Sequence, residues 1–181
     1  MKILDVGCGN GAFMKFLEQS GYANVYGVEP SEDLLRQIHE KDRSLGERVK
    51  KGFSTEVPFE DNSFDCIYFF NVLHHLRNTD DYCLTMKEVD RCLKPGGIAV
   101  LLEPCNEWVY SSKRSLARVL SPASSLFANI HQMMMEEKEP VTYFFRHHRA
   151  IKEKLAGLDY KILRDRKIIY QWILVARKAE K

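Results

Sequence analysis

Short apolar runs alternate with segments of helical periodicity along this chain. The apolar runs have the length and composition of strands buried on both faces of a sheet, and they lie at 2–6, 24–29, 48–52, 64–70 and 97–103. Helical patterns occupy 10–20, 31–43 and 79–92, and the last is ended by the Lys-Pro-Gly-Gly run at 94–97. The alternation predicts an α/β sheet with helices on both faces.

The chain closes with two further strand-like runs, 160–166 and 168–177, which are separated by little more than Lys167. A connection this short joins only antiparallel neighbours. The predicted fold is a Rossmann-like, doubly wound sheet of seven strands, mostly parallel with an antiparallel C-terminal strand. No internal repeat, low-complexity tract or linker interrupts the pattern, so residues 1–181 are predicted to form a single domain.

The first strand runs into Asp5 and three alternating glycines, Gly7, Gly9 and Gly11. Glycine tolerates positive φ and lets the backbone approach a ligand, and a helix predicted to start near Asn10 points unpaired N–H groups into the same space. The spacing is G-x-G-x-G, not the G-x-G-x-x-G of dinucleotide folds. Asp5 would repel a pyrophosphate but suits a ligand with an ammonium and a sulfonium. The turn favours S-adenosylmethionine over NAD, and an ordinary strand-to-helix turn is the alternative.

The second strand ends in Glu29, at the sequence distance from the glycines at which α/β nucleoside folds bind a ribose. Its carboxylate can accept from both ribose hydroxyls, through charge-assisted hydrogen bonds of about 1.5–3 kcal/mol each. A solvated acid at the end of a strand is the alternative. Ser31 is predicted to cap the helix that follows.

Four segments resemble the class I S-adenosylmethionine-dependent methyltransferases, in particular the small-molecule enzymes of ubiquinone and menaquinone biosynthesis. They are LDVGCGNG at 4–11, YGVEPS at 26–31, VPFEDNSFDCIYFFNVLHHL at 57–76 and LKPGGIAVLLEP at 93–104. The resemblance implies that Asp5, Gly7 and Gly9 surround the methionine part of the cofactor. It further implies that Glu29 binds the ribose and that the Asn71 backbone carbonyl binds the methionine end. The neighbouring residues Cys8, Pro30 and Val72 are also predicted to bind the cofactor.

One position departs from the family pattern. Many relatives carry an acid after the third strand that accepts from the adenine amino group, whereas this chain has Phe53 and Ser54 there. Phe53 can stack on adenine while Ser54 supplies a hydrogen bond, because burial of an aromatic face offsets part of the lost polar contact. A core position for Phe53 is the alternative. The departure bears on cofactor affinity and leaves cofactor identity unchanged.

Residues 105–156 form an insertion after the fifth strand that is rich in apolar and methionine side chains. Folds of this kind bind ligands beyond the carboxyl ends of their strands, so we interpret the insertion as a helical substrate lid. A helical pair that packs on the sheet edge is the alternative. The candidate acceptor-binding residues are Glu103, Trp108, Tyr143 and His147. Glu103 is alternatively a residue that fixes a histidine tautomer, or a solvated acid.

A sulfonium carries an excellent leaving group, so the protein mainly supplies alignment and water exclusion. Positioning alone contributes about 7–11 kcal/mol. A general base matters only for a hydroxyl or protonated amine acceptor. The candidates for this base are His74 and His75, just past the fourth strand, of which only one can face the site; a packing histidine is the alternative.

The composition bears on the class of protein and on the sites it can contain. With 181 residues and 45% apolar content the chain can form one core. The five cysteines lack C-x-x-C spacing, which predicts neither a metal site nor a disulfide framework. No apolar stretch approaches the roughly 20 residues of a membrane span, and the first residues read as a strand, not a signal peptide. A cytoplasmic location is predicted.

Charge is unevenly divided along the chain. The net charge is +2, but residues 146–181 carry eleven Lys and Arg against four Asp and Glu. Strand alternation distributes Arg164, Arg166 and Lys167 over both faces, so a solvated surface is favoured over a nucleic-acid partner.

The favoured function is transfer of a methyl group from S-adenosylmethionine to a small, partly apolar acceptor by direct displacement, leaving S-adenosylhomocysteine. The alternative is a cofactor-binding subunit that is non-catalytic or depends on a partner. Two features permit it: only Met1 and Lys2 precede the first strand, and Phe53 replaces the usual acid. The sequence is compatible with a homo-oligomer and with association with a partner subunit.

Overall fold

The computed structural model describes residues 1–104, 138–168 and 171–180, together with positions 111–112, 115–116, 118, 129, 132 and 134–136. Seven strands make one sheet. They are β1 (Lys2–Val6), β2 (Asn24–Glu29), β3 (Val49–Lys51), β4 (Phe64–Phe70), β5 (Leu93–Pro104), β6 (Tyr160–Ile168) and β7 (Gln171–Lys178). Their order in the sheet is β3-β2-β1-β4-β5-β7-β6.

The helices of the described residues connect these strands. They are α1 (Ala12–Gln19), α2 (Glu32–Lys41), α3 (Arg43–Gly46), α4 (Thr79–Cys92), α5 (Lys138–His147) and α6 (Arg149–Gly157), with a 3₁₀ turn at Leu73–His75. The predicted cap of α2 is confirmed, because Ser31 accepts a hydrogen bond from the Leu34 N–H. The side chain of Asn78 caps α4 in the same way, accepting from the Asp81 N–H at 2.8 Å.

Strands β1 to β5 pair in parallel, and β7 runs antiparallel to both β5 and β6. The predicted sheet is confirmed, including its antiparallel C-terminal strand. The chain turns back to the opposite side of β1 after β3, so the carboxyl ends of β1 and β4 flank the switch point at which such sheets bind ligands.

Several predicted boundaries differ from the observed ones, and three of the differences have a clear structural reason. Strand β5 starts at Leu93 and not at 97, because Leu93 pairs with Phe64 ahead of a register shift. Lys167 pairs with Trp172 inside the terminal hairpin, so it belongs to β6 and is not the connection between the two strands. Helix α1 begins at Ala12 because Gly11 has φ +75°, a left-handed conformation that a helix cannot include.

Two apolar clusters cover the sheet. The larger packs α4, α5 and α6 on one face, around side chains such as Phe69, Leu101 and Trp172. The smaller packs α1, α2 and α3 on the other face, around Met14 and Ile38. The two clusters fix the ends of β1, β2 and β4, which carry the candidate site.

The described part of the predicted lid consists mainly of α5 and α6. Phe144, Ile151 and Leu155 of these helices belong to the larger core cluster, so this stretch packs against the sheet. Among the methionines of the same insertion, Met134 is buried and Met135 is exposed. Trp108 lies outside the described residues.

Candidate cofactor and acceptor site

A cavity of about 540 Å³ opens at the carboxyl ends of β1, β2 and β4, a volume within the usual range for small-molecule sites. Of the predicted site residues, it is lined by Gly7, Glu29, Pro30, Phe53, Ser54, Asn71, Val72 and His75. The structure thus brings residues from three of the four motif segments to one place. Asp5, Cys8 and Gly9 are not among the lining residues. Asp5 and Cys8 are buried, and the Gly9 N–H contacts the Glu29 carboxylate.

The glycine turn is held by hydrogen bonds within the protein. The N–H groups of Gly7 and Cys8 both donate to the Val28 carbonyl, at 2.8 and 3.1 Å. The Gly11 N–H donates to the Cys8 carbonyl, and the Ala12 N–H donates to the Asn10 side chain. The turn is therefore fixed before any ligand binds, and the N–H groups of Gly7, Cys8 and Gly11 are engaged within the protein.

Glu29 joins the turn to the second strand. The residue is only 6% exposed, and its carboxylate accepts from the Gly9 N–H and the Ser31 N–H, both at 2.9 Å. A carboxylate has about four acceptor positions, so two such bonds leave capacity for two hydroxyl donors. The same contacts orient the carboxylate within the cavity wall.

Asp5 is buried at 3% exposure near Glu29. Burial, followed by the negative charge of Glu29, raises the pKa of Asp5 to about 7. Burial, followed by the negative charges of Asp5 and Glu29, also raises the pKa of the neighbouring Cys8 thiol. This part of the site penalises negative charge, and a cation placed near Asp5 and Glu29 would relieve the penalty.

Replacing Asp5 with asparagine is expected to stabilise the ligand-free protein in neutral and basic solution. The folded pKa lies above the unfolded one, so wild-type stability falls as pH rises between the two values. The advantage of the variant should grow from about pH 5 to about pH 8 and reach at most about 4 kcal/mol. Urea unfolding at both pH values measures it. An advantage that does not grow with pH would contradict the raised pKa.

Phe53 and Ser54 form the wall opposite the glycine turn. Phe53 is 59% exposed, which excludes the core position that the sequence left open. Ser54 is buried, and its hydroxyl is hydrogen-bonded to the Thr85 hydroxyl at 3.0 Å. A hydroxyl can donate once and accept twice, so Ser54 keeps hydrogen-bonding capacity toward the cavity.

Asn71 and Val72 form the floor between β4 and the 3₁₀ turn. Asn71 has φ +56°, an uncommon conformation outside glycine, and its N–H donates to the Leu102 carbonyl at 2.9 Å. A Cβ at Gly7 would lie 2.6 Å from a Val72 methyl group. Glycine at position 7 is therefore required for the approach of these two loops.

Glu103 lies below this floor and not in the cavity wall. It is fully buried, and one carboxylate oxygen accepts from the N–H groups of Val72 and Leu73, both at 2.8 Å. The other oxygen is 2.8 Å from His74 Nδ1. Of the alternatives for Glu103, this geometry fits the residue that fixes a histidine. His74 is itself buried, so His75 is the histidine that lines the cavity.

Removing the Glu103 carboxylate is expected to destabilise the fold. Glu103→Ala leaves two buried N–H groups and a buried imidazole without their acceptor, which costs about 3–5 kcal/mol. Glu103→Gln keeps an acceptor oxygen and should lose less. Denaturant unfolding compares both with Glu60→Ala, which alters an exposed acid and should change stability little. A loss below about 1 kcal/mol for Glu103→Ala would contradict this role.

A second cavity of about 300 Å³ adjoins the first. Both cavities are lined by His75, Leu76 and Arg77, and the second is completed by Glu139, Pro140 and Tyr143 from α5. The His147 ring stacks on Tyr143 with centroids 4.0 Å apart, and His147 Nδ1 lies 2.8 Å from the Tyr143 carbonyl. Tyr143 thus faces the second cavity, while His147 packs behind it.

Sequence reasoning missed several lining residues. They are Val6, Val28, Gly52, Thr55, Leu76, Arg77 and Asp81. Arg77 and Asp81 flank the start of α4 and line the cavity from that side. The sequence offered one sign of a role for Arg77, because the polar run HHLRN at 74–78 follows shortly after the end of β4.

No group of three or more His, Cys, Asp or Glu side chains in the described part of the chain is arranged to hold a metal ion. None of the described helices is long and apolar enough to cross a membrane.

The sheet order, with the glycine turn after β1 and the acid at the end of β2, defines an α/β protein of the Rossmann-like class. A family model described as a methyltransferase domain matches residues 4–101, more than half of the sequence. The chain belongs to this methyltransferase family, and the resemblance to the class I S-adenosylmethionine-dependent enzymes is confirmed.

Individual proteins agree with this assignment. A demethylmenaquinone methyltransferase of Staphylococcus aureus is 37% identical over 145 residues, which cover 77% of this chain and 58% of that protein. The chain therefore spans well under two thirds of the length of this curated relative.

Solved structures share the fold. A SAM-dependent methyltransferase from Methanosarcina mazei matches with a TM-score of 0.69 and 19% identity, covering 99% of this chain and 93% of that one. One from Aquifex aeolicus matches with a TM-score of 0.63 and 17% identity, covering 99% and 82%. At these identities the likeness concerns the fold alone.

Proposed function

We propose that the chain binds S-adenosylmethionine in the larger cavity and transfers its methyl group to a small, partly apolar acceptor. The observation that carries the proposal is the joint position of the glycine turn and the buried Glu29 carboxylate, whose remaining acceptor capacity suits a ribose diol. The bound cofactor supplies an activated methyl group on a sulfonium.

The residues of this chain fit such a cofactor by their chemistry. Glu29 accepts from the ribose hydroxyls, and Phe53 offers an exposed ring for the adenine. The Asn71 carbonyl binds the methionine end, and Asp5 provides negative charge near the cationic centre. Cation binding lowers the pKa of Asp5, so S-adenosylmethionine should bind more tightly as pH rises through about 7.

The second cavity is the proposed acceptor site. It adjoins the cofactor cavity through His75, Leu76 and Arg77, and Pro140 and Tyr143 give it an apolar wall. The Staphylococcus relative is named for demethylmenaquinone, and a ring of that kind, with polar groups at its edge, suits apolar walls with Arg77 and His75 at the rim. We therefore propose a reduced quinone or similar hydroxylated ring as the acceptor.

His75 is proposed to take the proton that such an acceptor releases. It is exposed and lines both cavities, whereas His74 is buried against Glu103. His75→Ala should lower turnover by about 10²- to 10⁴-fold while leaving the affinity for S-adenosylmethionine unchanged. Steady-state kinetics and cofactor titration measure the two quantities. Unchanged turnover would exclude His75 as the base.

Transfer of a radioactive methyl group tests the function as a whole. The purified chain is incubated with methyl-labelled S-adenosylmethionine and reduced demethylmenaquinone, with reduced ubiquinone precursors, phenols and amines as further acceptors. We expect label in the organic phase together with S-adenosylhomocysteine. Cofactor binding without transfer to any acceptor, followed by transfer once a partner subunit is added, would instead establish the non-catalytic alternative.

A further inference from the structure

The sheet face that carries α1 holds an apolar area beyond that helix. We call it the open face. Strand register places its side chains in rows, because partners in adjacent strands project to the same side. One row joins Tyr68, Val100 and Val175, and the next joins Phe70, Leu102 and Ile173. Of the described helices, α1 reaches one end of these rows, where Phe13 stacks on Tyr68, and all six side chains stay half-buried or exposed.

The opposite side of the same strands provides the contrast. Ile67, Leu101 and Leu174, which alternate with the open-face residues, are essentially inaccessible beneath the larger core cluster. Parallel sheets of this class normally have both faces covered. The open face is therefore an apolar surface that the described part of the chain leaves partly accessible.

Aromatic side chains extend the open face onto α1. Phe13 stacks on Tyr68 with ring centroids 4.3 Å apart, and Phe16 follows at 5.9 Å from Phe13. Phe16 is 59% exposed and Phe70 is 42% exposed. Large exposed aromatics in one continuous group mark an interaction surface more often than isolated ones do.

The outer strands add positive charge to the same face. Arg164 pairs with Val175 and Arg166 pairs with Ile173, so both arginines share the side of the apolar rows. Lys161 pairs with Arg177 one step further along, which brings the cations on this side to four. The predicted spread of basic residues over both faces thus takes a specific form, with Arg164 and Arg166 on the open face and Lys167 on the other.

The acid of the same strand points away. Asp165 lies on the opposite face, where it accepts from Trp172 Nε1 at 2.7 Å and from Lys152 at 2.9 Å. Alternation along β6 therefore places Arg164 and Arg166 beside the apolar rows, and Asp165 with Lys167 on the side of α6. The open face combines aromatic and aliphatic groups with a one-signed basic border.

We propose that the open face docks on an anionic phospholipid surface. Apolar and aromatic groups enter the headgroup region while Lys and Arg meet the lipid charges, as at other peripheral membrane surfaces. A two-fold contact between copies of the chain would place the same patch against itself, bringing basic borders together without matching acids on β6. Charge complementarity therefore favours lipid over a second copy.

Docking would also place the cavity beside the lipid. Phe70 on the open face directly precedes Asn71, which lines the cofactor cavity. Delivery of a lipid-soluble acceptor from the bilayer follows from this arrangement, and that consequence rests on the proposed function. The docking itself does not, because it requires neither cofactor nor acceptor.

Vesicle co-sedimentation of the full chain tests the proposal without cofactor or acceptor. Vesicles of phosphatidylcholine with phosphatidylglycerol should retain the protein, and vesicles of phosphatidylcholine alone should retain much less. The double variant Arg164→Glu, Arg166→Glu should lower the partition coefficient at least about tenfold. Lys167→Glu, which reverses a charge on the opposite face of the same strand, is the matched control and should have a clearly smaller effect.

A second pair of variants tests the contribution of apolar side chains to vesicle binding. Phe16→Ser should lower the partition coefficient about fivefold or more, whereas Leu84→Ser, which alters an exposed leucine on α4 across the sheet, should not. Circular dichroism and thermal melting show that each variant is folded.

Three outcomes would overturn the proposal. The first is equal retention by the two kinds of vesicle, or none. The second is a dimer in light scattering that Phe16→Ser dissociates, in the absence of vesicle binding. The third is loss of duplex RNA binding in the arginine variant with vesicle binding unchanged. Methyl transfer is measured in a separate experiment. A failure of vesicle binding therefore does not contradict the proposed methyltransferase function, and a failure of methyl transfer does not contradict membrane docking.

Discussion

Replacing Glu29 with alanine is expected to weaken S-adenosylmethionine binding by between about a hundredfold and ten-thousandfold. The range corresponds to two lost charge-assisted hydrogen bonds of about 1.5–3 kcal/mol each. The variant also frees the Gly9 and Ser31 N–H groups that the carboxylate now holds at 2.9 Å, so the turn loses part of its preorganisation. Isothermal titration calorimetry measures the affinity.

Two companions make the Glu29 result interpretable. Glu32→Ala removes an exposed acid three residues further on, which pairs with Lys51 outside the cavity, and it should bind the cofactor like wild type. Glu29→Gln retains one acceptor oxygen but brings an amide N–H toward a backbone donor, so its affinity should be intermediate. Near-normal affinity of a folded Glu29→Ala protein would remove this residue from the ribose site.

Alanine at Gly7 is expected to destabilise the protein by about 2–5 kcal/mol. The residue has φ +74°, which costs a non-glycine residue about 1–2 kcal/mol. In addition, the new Cβ would lie 2.6 Å from a Val72 methyl group, and overpacking of this kind costs about 1–3 kcal/mol. The floor of the cavity must shift to admit the methyl group, so cofactor binding should also be lost.

The variant Gly9→Ala distinguishes the stability cost of backbone strain from the loss of cofactor affinity. Gly9 has φ +56°, but a Cβ there would meet nothing within 4 Å, so the stability cost should stay near the backbone strain of about 1–2 kcal/mol. The added methyl group enters the open space beside Glu29 in which we propose the cofactor lies, and affinity should fall about tenfold or more. Denaturant unfolding and calorimetry on both variants give the comparison. A Gly9→Ala protein with unchanged affinity would place the cofactor elsewhere.

The sheet and the cofactor side of the site follow from local patterns in the sequence. Apolar runs of strand length end at Val6, Glu29 and Phe70, and parallel strands bring such ends to one edge, so the glycine turn and Glu29 had to meet. Phe53 was also placed correctly in the loop after β3. Its exposure, however, depends on how that loop folds over Thr85, which no periodicity encodes.

Other features depend on tertiary contacts. The sequence could not choose between His74 and His75, because adjacent residues of a 3₁₀ turn differ by about 120° in direction and the choice is made by Glu103, which is 29 residues from His74. Arg77 and Asp81 reach the cavity only through the path of the chain between β4 and α4. The acceptor cavity was the part of the site that the sequence predicted least well, because its wall comes from α5, beyond the segments that match the family.

Calorimetric titration of the folded chain with S-adenosylmethionine tests the central claim most directly. The account predicts binding at one site, binding of S-adenosylhomocysteine at the same site, affinity for S-adenosylmethionine that rises with pH through about 7, and no heat with NAD. A folded sample that binds NAD, or that gives no heat with either adenosyl ligand, would contradict it.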